Sequence, residues 1–502
     1  MQVPSIAELN LGAALPAVLL ALGACVLLVV DLFLPKNRKD WTAWLMLGGL
    51  VVSFVVNLFN YNNQSTALAG MFVSDQFTAF LNITILVAAF IAGLLSIDYL
   101  KRAGIAKGEY YVLMLFSVCG AMFMSSANDL IVVFIALELL SIPLYIMAAF
   151  RPNNAKSEES GMKYFILGAF ASAFLVYGAA LIYGATGTTS LPGIFQAVEG
   201  IVAAETASRY YLLVGTALLI VGLGFKVAVV PFHMWTPDVY EGAPTPVTAY
   251  MSVGAKIGGF AALIRIMIVA LPTLTSQAGE ITAAWQNVLM LIAGATLILG
   301  NFVAVAQSNM KRMLAYSSIA HAGYILMAVA AAGSPGVGNQ AAQGALVYLL
   351  AYTFTNMGAF AVVLTLEKAD GSGTEIEDYV GLGKNRPLLA AAMVVFLFSL
   401  AGLPPTAGFW GKWLVFKPTL DAGLVPLAII GVLTSVVSAY YYVRIIVNMY
   451  LRDKETTETP GETTLVNWAI YGSFAGTLIL GLLPFLATNL ANTINLANFI
   501  PQ

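Results

Sequence analysis

The sequence predicts an all-α polytopic membrane protein with about 14 transmembrane helices. Of its 502 residues, 60% are hydrophobic and only 10% are charged, whereas roughly a quarter of the residues in an ordinary soluble domain are charged. Apolar runs recur from end to end, and a run of about 18 or more residues can cross a hydrocarbon layer of roughly 30 Å as a helix. Because lipid offers the backbone no hydrogen-bond partner, runs of this length favour helices over barrel strands.

Fourteen predicted spans follow one another along the chain. They lie at roughly 12–34, 41–60, 76–100, 109–126, 129–150, 159–184, 209–228, 243–271, 284–305, 311–332, 341–367, 387–418, 423–451 and 465–491. The longest polar connections, at 185–208, 368–386 and 452–464, are too short for a globular domain. The first span is expected to be a retained helix and not a cleavable signal, because Glu8 precedes it and the first basic residue, Lys36, follows it.

Basic residues concentrate at the junctions after spans 1, 3, 5, 9, 11 and 13, which all fall on one side. They are Lys36, Arg38, Lys39, Lys101, Arg102, Lys107, Arg151, Lys156, Lys311, Arg312, Lys368, Lys384, Arg386, Arg452 and Lys454, with Arg209 as the main exception at the opposite junctions. The positive-inside rule places these junctions in the cytoplasm. An even number of spans then leaves both termini on the outer side.

The composition excludes several classes of function. A net charge of −2 gives no basic surface for nucleic acid. The two cysteines, Cys25 and Cys119, lie in apolar runs and cannot form a zinc or iron–sulfur site. The only glycine-rich candidate for a dinucleotide motif, Gly222-Leu-Gly224, lies inside a span and follows no strand. We therefore expect neither a metal nor a cofactor in this chain.

Two spans are predicted to be broken. Span 7 contains Gly222-Leu-Gly-Phe-Lys226, and span 12 contains Leu403-Pro-Pro-Thr-Ala-Gly-Phe-Trp-Gly-Lys412. Proline removes a backbone donor and glycine loosens a helix, so each break is expected just before its lysine. Because the two spans are five apart, they cross in opposite directions, which predicts an inverted-topology repeat with discontinuous helices.

Four charged residues in the spans are the candidate site: Glu138, Lys226, Lys256 and Lys412. A charge at the bilayer centre costs about 2.5–3.5 kcal/mol, so such residues pair, line water or titrate. Glu138 is expected near the midplane, with Lys226 as its partner. Burial favours the neutral form of a lysine and a nearby carboxylate the charged form, so such a pair can take up and release a proton. The alternatives are a purely structural salt bridge and a lysine that snorkels to the surface.

Further polar residues surround these four. Lys256 lies among small residues in Ser252-Val-Gly-Ala-Lys-Ile-Gly-Gly259, which leave room for water or for a close helix. Arg265 is expected to snorkel toward the outer surface. The possible members of a proton relay are His233, in a loop between broken helices, and the helically spaced Ser317, Ser318, His321 and Tyr324.

The run Gly224-Phe-Lys-Val-Ala-Val-Val-Pro-Phe-His-Met-Trp-Thr-Pro-Asp-Val-Tyr-Glu-Gly-Ala-Pro-Thr-Pro-Val247 resembles the signature of the antiporter-like membrane subunits of respiratory complex I (NDH-1, NADH–quinone oxidoreductase). The resemblance extends over nearly the whole chain, including Glu138 in Ala-Leu-Glu-Leu and the second break. It implies two inverted five-helix repeats. The implied divisions are 1–126 for the first four helices, 109–271 and 284–451 for the repeats, and 465–491 for the last helix.

The resemblance also implies a function. It assigns proton translocation, driven by electron transfer from NADH to quinone, to Glu138, Lys226, Lys256 and Lys412. It implies a bacterial inner membrane and other membrane subunits as partners, with FMN, iron–sulfur clusters and quinone in those other subunits and not in this chain. Two alternatives stay open: a cation/proton antiporter subunit of the Mrp type, and a non-pumping scaffold whose charges are structural.

Overall fold

The computed structural model describes residues 9–35, 38–203, 207–272, 284–453 and 464–496, which form a bundle of membrane helices. The helices are α1 (Leu15–Phe33), α2 (Asp40–Phe59), α3 (Gln76–Arg102), α4 (Gly108–Ser126), α5 (Leu130–Ala148), α6 (Ala155–Thr186), α7 (Leu191–Ala203), α8 (Ala207–Val227), α9 (Trp235–Gly242), α10 (Thr245–Ala270), α11 (Ala284–Val305), α12 (Met310–Ala331), α13 (Gly338–Leu366), α14 (Leu382–Asn385), α15 (Pro387–Ala401), α16 (Ala407–Asp421), α17 (Val425–Leu451), α18 (Thr464–Leu482) and α19 (Phe485–Asn492). Two short strands, β1 (Ser65–Ala67) and β2 (Phe72–Ser74), form an antiparallel hairpin.

The fourteen predicted spans correspond to these helices. Thirteen of the described helices are long and apolar enough to cross a membrane, and the remaining span, 387–418, is divided into α15 and α16. The predicted fold class is therefore confirmed. The inverted repeats and the domain limits stay predictions. The termini, 1–8 and 497–502, lie outside the described residues, as do Lys36 and Lys454, so the sides of the two chain ends also stay predictions.

The first break lies after Lys226, so the predicted position before the lysine was wrong. Helix α8 continues through Gly222 to Val227, and the chain is non-helical until α9 begins. A β carbon at Gly222 would lie 2.7 Å from Leu175 Cβ of α6. The glycine thus serves close helix packing without ending the helix, whereas Pro231, which has no N–H, falls within the break.

The second break lies where the sequence predicts it. Helix α15 ends at Ala401, and the next residue, Gly402, has a left-handed φ of +87°. Helix α16 begins at Ala407. The Gly408 N–H, near the start of α16, donates to the Ser399 hydroxyl at 3.0 Å. Lys412 therefore follows the break within α16.

Two elements were not predicted. Helix α7 lies within the supposed polar connection 185–208, and its Leu191, Ile194, Val198 and Val202 are buried at helical spacing. The β1–β2 hairpin connects α2 to α3, with Phe72 bridged to Ala127 just after α4.

The predicted cytoplasmic junctions lie at one end of the molecule, which we call the basic end. Contacts join these junctions to one another. Near the end of α13, Arg102 donates to the Leu364 carbonyl at 2.9 Å, and Arg151 donates to the Ala369 carbonyl at 2.6 Å. Further pairs are Lys156 with Glu241, Arg312 with Glu241, Lys384 with Asp453 and Arg452 with Glu377. The grouping agrees with the alternation in the sequence.

Candidate functional site

Lys226 lies in a buried polar site between α5, α6 and α8. Its side chain is 3% exposed, and its Nζ donates to Ser141 Oγ at 2.8 Å and to the Tyr164 hydroxyl at 3.1 Å. The Tyr164 ring stacks on Trp235 of α9, with ring centroids 4.4 Å apart. The helix after the break therefore fixes one of the two partners of the lysine.

Glu138 lies one helical turn before Ser141 on α5. Its carboxylate accepts a hydrogen bond from Ser172 of α6. Lys226 is close enough to interact with Glu138 electrostatically, but its direct partner on α5 is Ser141. Ser141 in turn donates to the Leu137 carbonyl at 2.5 Å, so Glu138 and Lys226 have separate hydroxyl partners, Ser172 and Ser141.

Lys256 lies on α10, a helix buried along its whole length. The residues just before it, Met251–Ala255, form a π-helical turn, a feature that often marks functional sites. The Lys256 ammonium donates to the Ser318 carbonyl of α12. Lys226 lies close to the same helix. If Gly259, one turn after Lys256, carried a β carbon, that atom would be 3.3 Å from Lys226 Cγ. The absence of a side chain at Gly259 thus lets Lys226 pack against α10 one turn after Lys256.

His321 lies three residues after Ser318 on α12. Its Nδ1 is 2.6 Å from the Tyr348 hydroxyl, and its Nε2 is 3.3 Å from the Tyr442 hydroxyl. Tyr442 is in turn 2.5 Å from Ser317 Oγ. The structure therefore brings Ser317 and His321 together through a tyrosine of α17 that the sequence did not indicate.

Lys412 lies at the second break. Its Nζ donates to the Ala401 carbonyl and to Ser435 Oγ, both at 2.8 Å, and lies 4.7 Å from the centroid of the Tyr324 ring. The carbonyl is available because α15 ends there. A cation over an aromatic face is stabilised by the ring quadrupole, so Tyr324 is a direct contact of the lysine.

A small cavity connects His321 to the second break. It is lined by His321, Tyr348, Tyr352, Gly408 and Gly411, among others, and its volume is about 10 Å³, which is about the size that holds one water. His233 lies elsewhere, half-buried in the loop between α8 and α9. The described geometry therefore gives a row of Lys226, Lys256, His321 and Lys412, carried by α8, α10, α12 and α16.

Arg265 does not snorkel, and this prediction was wrong. The side chain is 1% exposed and makes two hydrogen bonds to Asp75, at 2.9 and 3.1 Å. It also donates to Thr78 Oγ1 and to the Ser125 carbonyl. Asp75 caps the N-terminus of α3, which sequence reasoning missed because the residue stands just outside a predicted span. The Arg265 Nε has no partner among the described residues, but both terminal nitrogens bond to the Asp75 carboxylate, and a charge paired in this way can remain buried.

Ionic contacts on α9 lie outside the membrane spans. Asp238 accepts from Lys163 at 2.6 Å and Arg312 at 2.7 Å, and Glu241 accepts from Lys156 at 2.8 Å and Arg312 at 3.1 Å. Burial alone would raise the pKa of both carboxyls, but the hydrogen bonds from these cations outweigh it and lower both pKa values. Helix α9, which supports the Lys226 site, is thus attached to α6 and α12 through ionised carboxylates.

Comparisons with known proteins identify the family of the chain. The family described as "NADH:quinone oxidoreductase/Mrp antiporter, TM" matches residues 127–438, more than half of the chain. A relative from Trichlorobacter lovleyi, NADH-quinone oxidoreductase subunit N, is 46% identical over 95% of each chain. Subunit N 2 from Roseiflexus castenholzii is 45% identical over 94% of this chain and 93% of its own.

Solved structures have the same fold. A chain of respiratory complex I from Thermus thermophilus is 33% identical with a TM-score of 0.78, covering 94% of this chain and 98% of its own. A chain of the Mrp complex from Dietzia sp. DQ12-45-1b has a TM-score of 0.82 at 21% identity, covering 98% of each chain, which shows the fold alone.

The motif around the first break also distinguishes among branches of the family. Its form here, Pro237-Asp-Val-Tyr-Glu-Gly-Ala-Pro244, and the lysine at 412 predict the subunit N branch. The named relatives, which match the chain almost from end to end, confirm that prediction. The chain therefore belongs to the NADH:quinone oxidoreductase/Mrp antiporter transmembrane family, in its subunit N branch.

Proposed function

We propose that this chain is a proton-translocating membrane-arm subunit of an NADH–quinone oxidoreductase in a bacterial inner membrane. The observation that supports it is the row of Lys226, Lys256, His321 and Lys412, which are buried on neighbouring helices. Lys226, His321 and Lys412 contact hydroxyl groups, and a water-sized cavity lies between His321 and the second break. A row of titratable groups through buried helices suits proton transfer, since isolated buried charges are costly. The relatives are named as subunits of NADH-quinone oxidoreductase, so the driving reaction in this proposal is electron transfer from NADH to quinone.

Each residue in the row has a role in the proposal. Glu138 and Lys226 form the switchable pair, and each is held by its own hydroxyl partner, Ser172 and Ser141. Lys256 passes the proton laterally across α10, and His321 with its tyrosine partners continues the relay. Lys412, at the second break, loads or releases the proton on the far side of the row.

The driving energy comes from other subunits. This chain contains no predicted site for NADH, FMN, an iron–sulfur cluster or quinone, so we propose that these groups reside in its partner subunits. Electron transfer there would act on the row electrostatically, because displacing a charge near Glu138 changes how strongly Lys226 holds its proton. The basic end faces the cytoplasm in this proposal, as the positive-inside rule requires.

Substitution of Lys226 by Ala in the intact complex tests the proposal. In everted membrane vesicles we expect slower or uncoupled NADH–quinone reduction, with normal amounts of assembled complex. The matched control is Lys101→Ala, which removes a half-exposed lysine paired with Asp40 at the basic end. Unchanged proton pumping in Lys226→Ala would refute the mechanism.

The fold shared with an Mrp complex supports a second candidate, a cation/proton antiporter subunit. Purification of the native complex separates the two. Flavin and iron–sulfur clusters that co-purify support the oxidoreductase, whereas Na⁺-dependent proton exchange without them supports the antiporter. A scaffold without pumping predicts a third result, in which removal of single charges reduces assembly more than turnover.

A further inference from the structure

A second group of buried charges lies at the basic end, outside the row described above. Lys311, at the start of α12, is 3% exposed, and Glu367, just after α13, is 2% exposed. Both line a cavity of about 420 Å³, together with Arg151, Lys156 and Glu241 among others. This volume is large enough for many waters, and its wall is polar and charged.

The two buried charges hold the connection between α9 and α10. The Lys311 Nζ donates to the Ala243 carbonyl at 2.7 Å. The Glu367 carboxylate accepts from Thr245, the first residue of α10, and from the Tyr99 hydroxyl at 3.1 Å, with Arg151 Nη1 at 3.7 Å. Glu367 is thus satisfied by several donors, while the only hydrogen-bond acceptor of Lys311 among the described residues is one neutral carbonyl.

Polar residues lead from this cavity toward Lys256 on three helices. On α12, Ser318 lies seven residues after Lys311, which is two turns and about 10 Å further on the same face. It is the Ser318 carbonyl that accepts from Lys256. On α10, Thr248 and Ser252 lie between Thr245 and Lys256, and on α13 the Asn356 side chain donates to Ser252 at 2.6 Å.

Several oxygens along these residues have no partner within the described part of the chain. They are the hydroxyls of Tyr240, Ser318 and Tyr352 and the side-chain oxygen of Asn356, all buried. The Tyr240 and Tyr352 hydroxyls both approach Ser318. Buried polar groups in proteins are nearly always hydrogen-bonded, and ordered water is the usual partner where protein offers none. These four oxygens, which the described residues leave without a partner, lie around Ser318 and Asn356, between the cavity and Lys256.

We propose that this cavity is the entrance through which protons reach Lys256 from the basic end, and that Lys311 carries them out of the cavity. The neutral Lys311 amine takes a proton from a hydronium ion in the cavity, which leaves water, becomes an ammonium, and gives the proton to a water beside Ser318, which becomes hydronium. Only O–H and N–H bonds change, and the lysine returns to its starting state. The inference rests on the proposed function and adds to it the point of entry and a carrier residue.

Two substitutions of Lys311 separate a carrier from a structural cation. Lys311→Met removes the proton-binding group, whereas Lys311→Arg keeps a positive charge that can donate to the Ala243 carbonyl but does not deprotonate in proteins. Both are measured in the whole complex, in everted vesicles, as protons translocated per NADH oxidised. The control is Lys101→Met at the same end. We expect both Lys311 variants to lose translocation while the control keeps it. Normal translocation in Lys311→Arg would show that the charge alone is needed and would overturn the proposal.

Access of water to Ser318 gives an independent test, which holds even where a Lys311 variant fails to assemble. Cysteine replaces Ser318 in a chain whose Cys25 and Cys119 have been changed to alanine. A small, permanently charged methanethiosulfonate is then applied to the basic end. The control is Met313→Cys, a buried position on the opposite face of α12. Labelling at 318 and not at 313 supports the entrance, and no labelling at 318 contradicts it.

These results are distinguishable from failure of the proposed function itself. If Lys226→Ala abolishes pumping and Lys311→Met does not, the function stands and the entrance is wrong. If neither substitution changes pumping, the proposed function fails, and the entrance with it.

Discussion

Lys226 crosses directly over Gly259, one helical turn after Lys256 on α10. A β carbon at position 259 would lie 3.3 Å from Lys226 Cγ and 2.7 Å from Val227 Cγ1. The first lysine of the row therefore depends on a missing side chain to lie near the second.

Gly259→Ala is predicted to separate the two lysines. Overpacking of a buried site costs about 1–3 kcal/mol, and the lysine must shift to admit the methyl group. We expect slower NADH-driven proton translocation in membrane vesicles, with the complex still assembled. Gly472→Ala is the control, because no atom lies within 4 Å of a β carbon there. Equal translocation by the two variants would argue against a role for the close approach.

Arg265→Met is predicted to destabilise the chain strongly. The change leaves the buried Asp75 carboxylate without its ionic partner, and breaking a buried ion pair from one side costs about 3–5 kcal/mol. Thermal unfolding of the detergent-purified complex measures the loss. Lys101→Met breaks a half-exposed pair with Asp40, where about 0–1 kcal/mol is expected. Similar melting temperatures for both variants would show that the Arg265 contacts contribute little.

The sequence was sufficient for the fold but only partly for the site. Apolar runs specify membrane helices because lipid leaves the backbone no other choice, so all fourteen spans were found. Gly222 was misread as part of a break because its packing against Leu175, on another helix, cannot be seen in a local sequence pattern. Tyr442 was missed for the same reason, since its contact with His321 joins residues 121 positions apart.

The attachment of α9 is predicted to weaken in acid. The pKa values of Asp238 and Glu241 are lower in the folded chain than their usual 3.8 and 4.5. Groups with lowered folded pKa values contribute stability above their usual pKa, and that stability is lost as pH falls through the lowered values. Hydrogen exchange at α9 should therefore be constant near neutral pH and should accelerate, after correction for intrinsic rates, only below about pH 4. Asp238→Asn should show fast exchange already at pH 7, and a rate equal to that of the unsubstituted chain would contradict the account.

Tyr442→Phe is predicted to impair the relay without loss of structure. The change removes one hydroxyl that contacts both Ser317 and His321 and keeps the ring that packs against Tyr441. We expect reduced proton translocation per NADH and a normal amount of complex. Tyr440→Phe, on the same helix at a 61% exposed position, is the control. An unchanged stoichiometry in Tyr442→Phe would exclude this hydroxyl from the path.

The central claim is that Lys226 and Lys412, which stand at opposite ends of the row, serve one proton path. The most direct measurement compares the rate of NADH-driven proton translocation in Lys226→Ala, in Lys412→Ala and in the double variant, each normalised to the amount of assembled complex. Removing either group from a single path already blocks it, so the account predicts that the double variant loses no more than the single variants. Losses that add in the double variant would show two independent paths and would contradict the account.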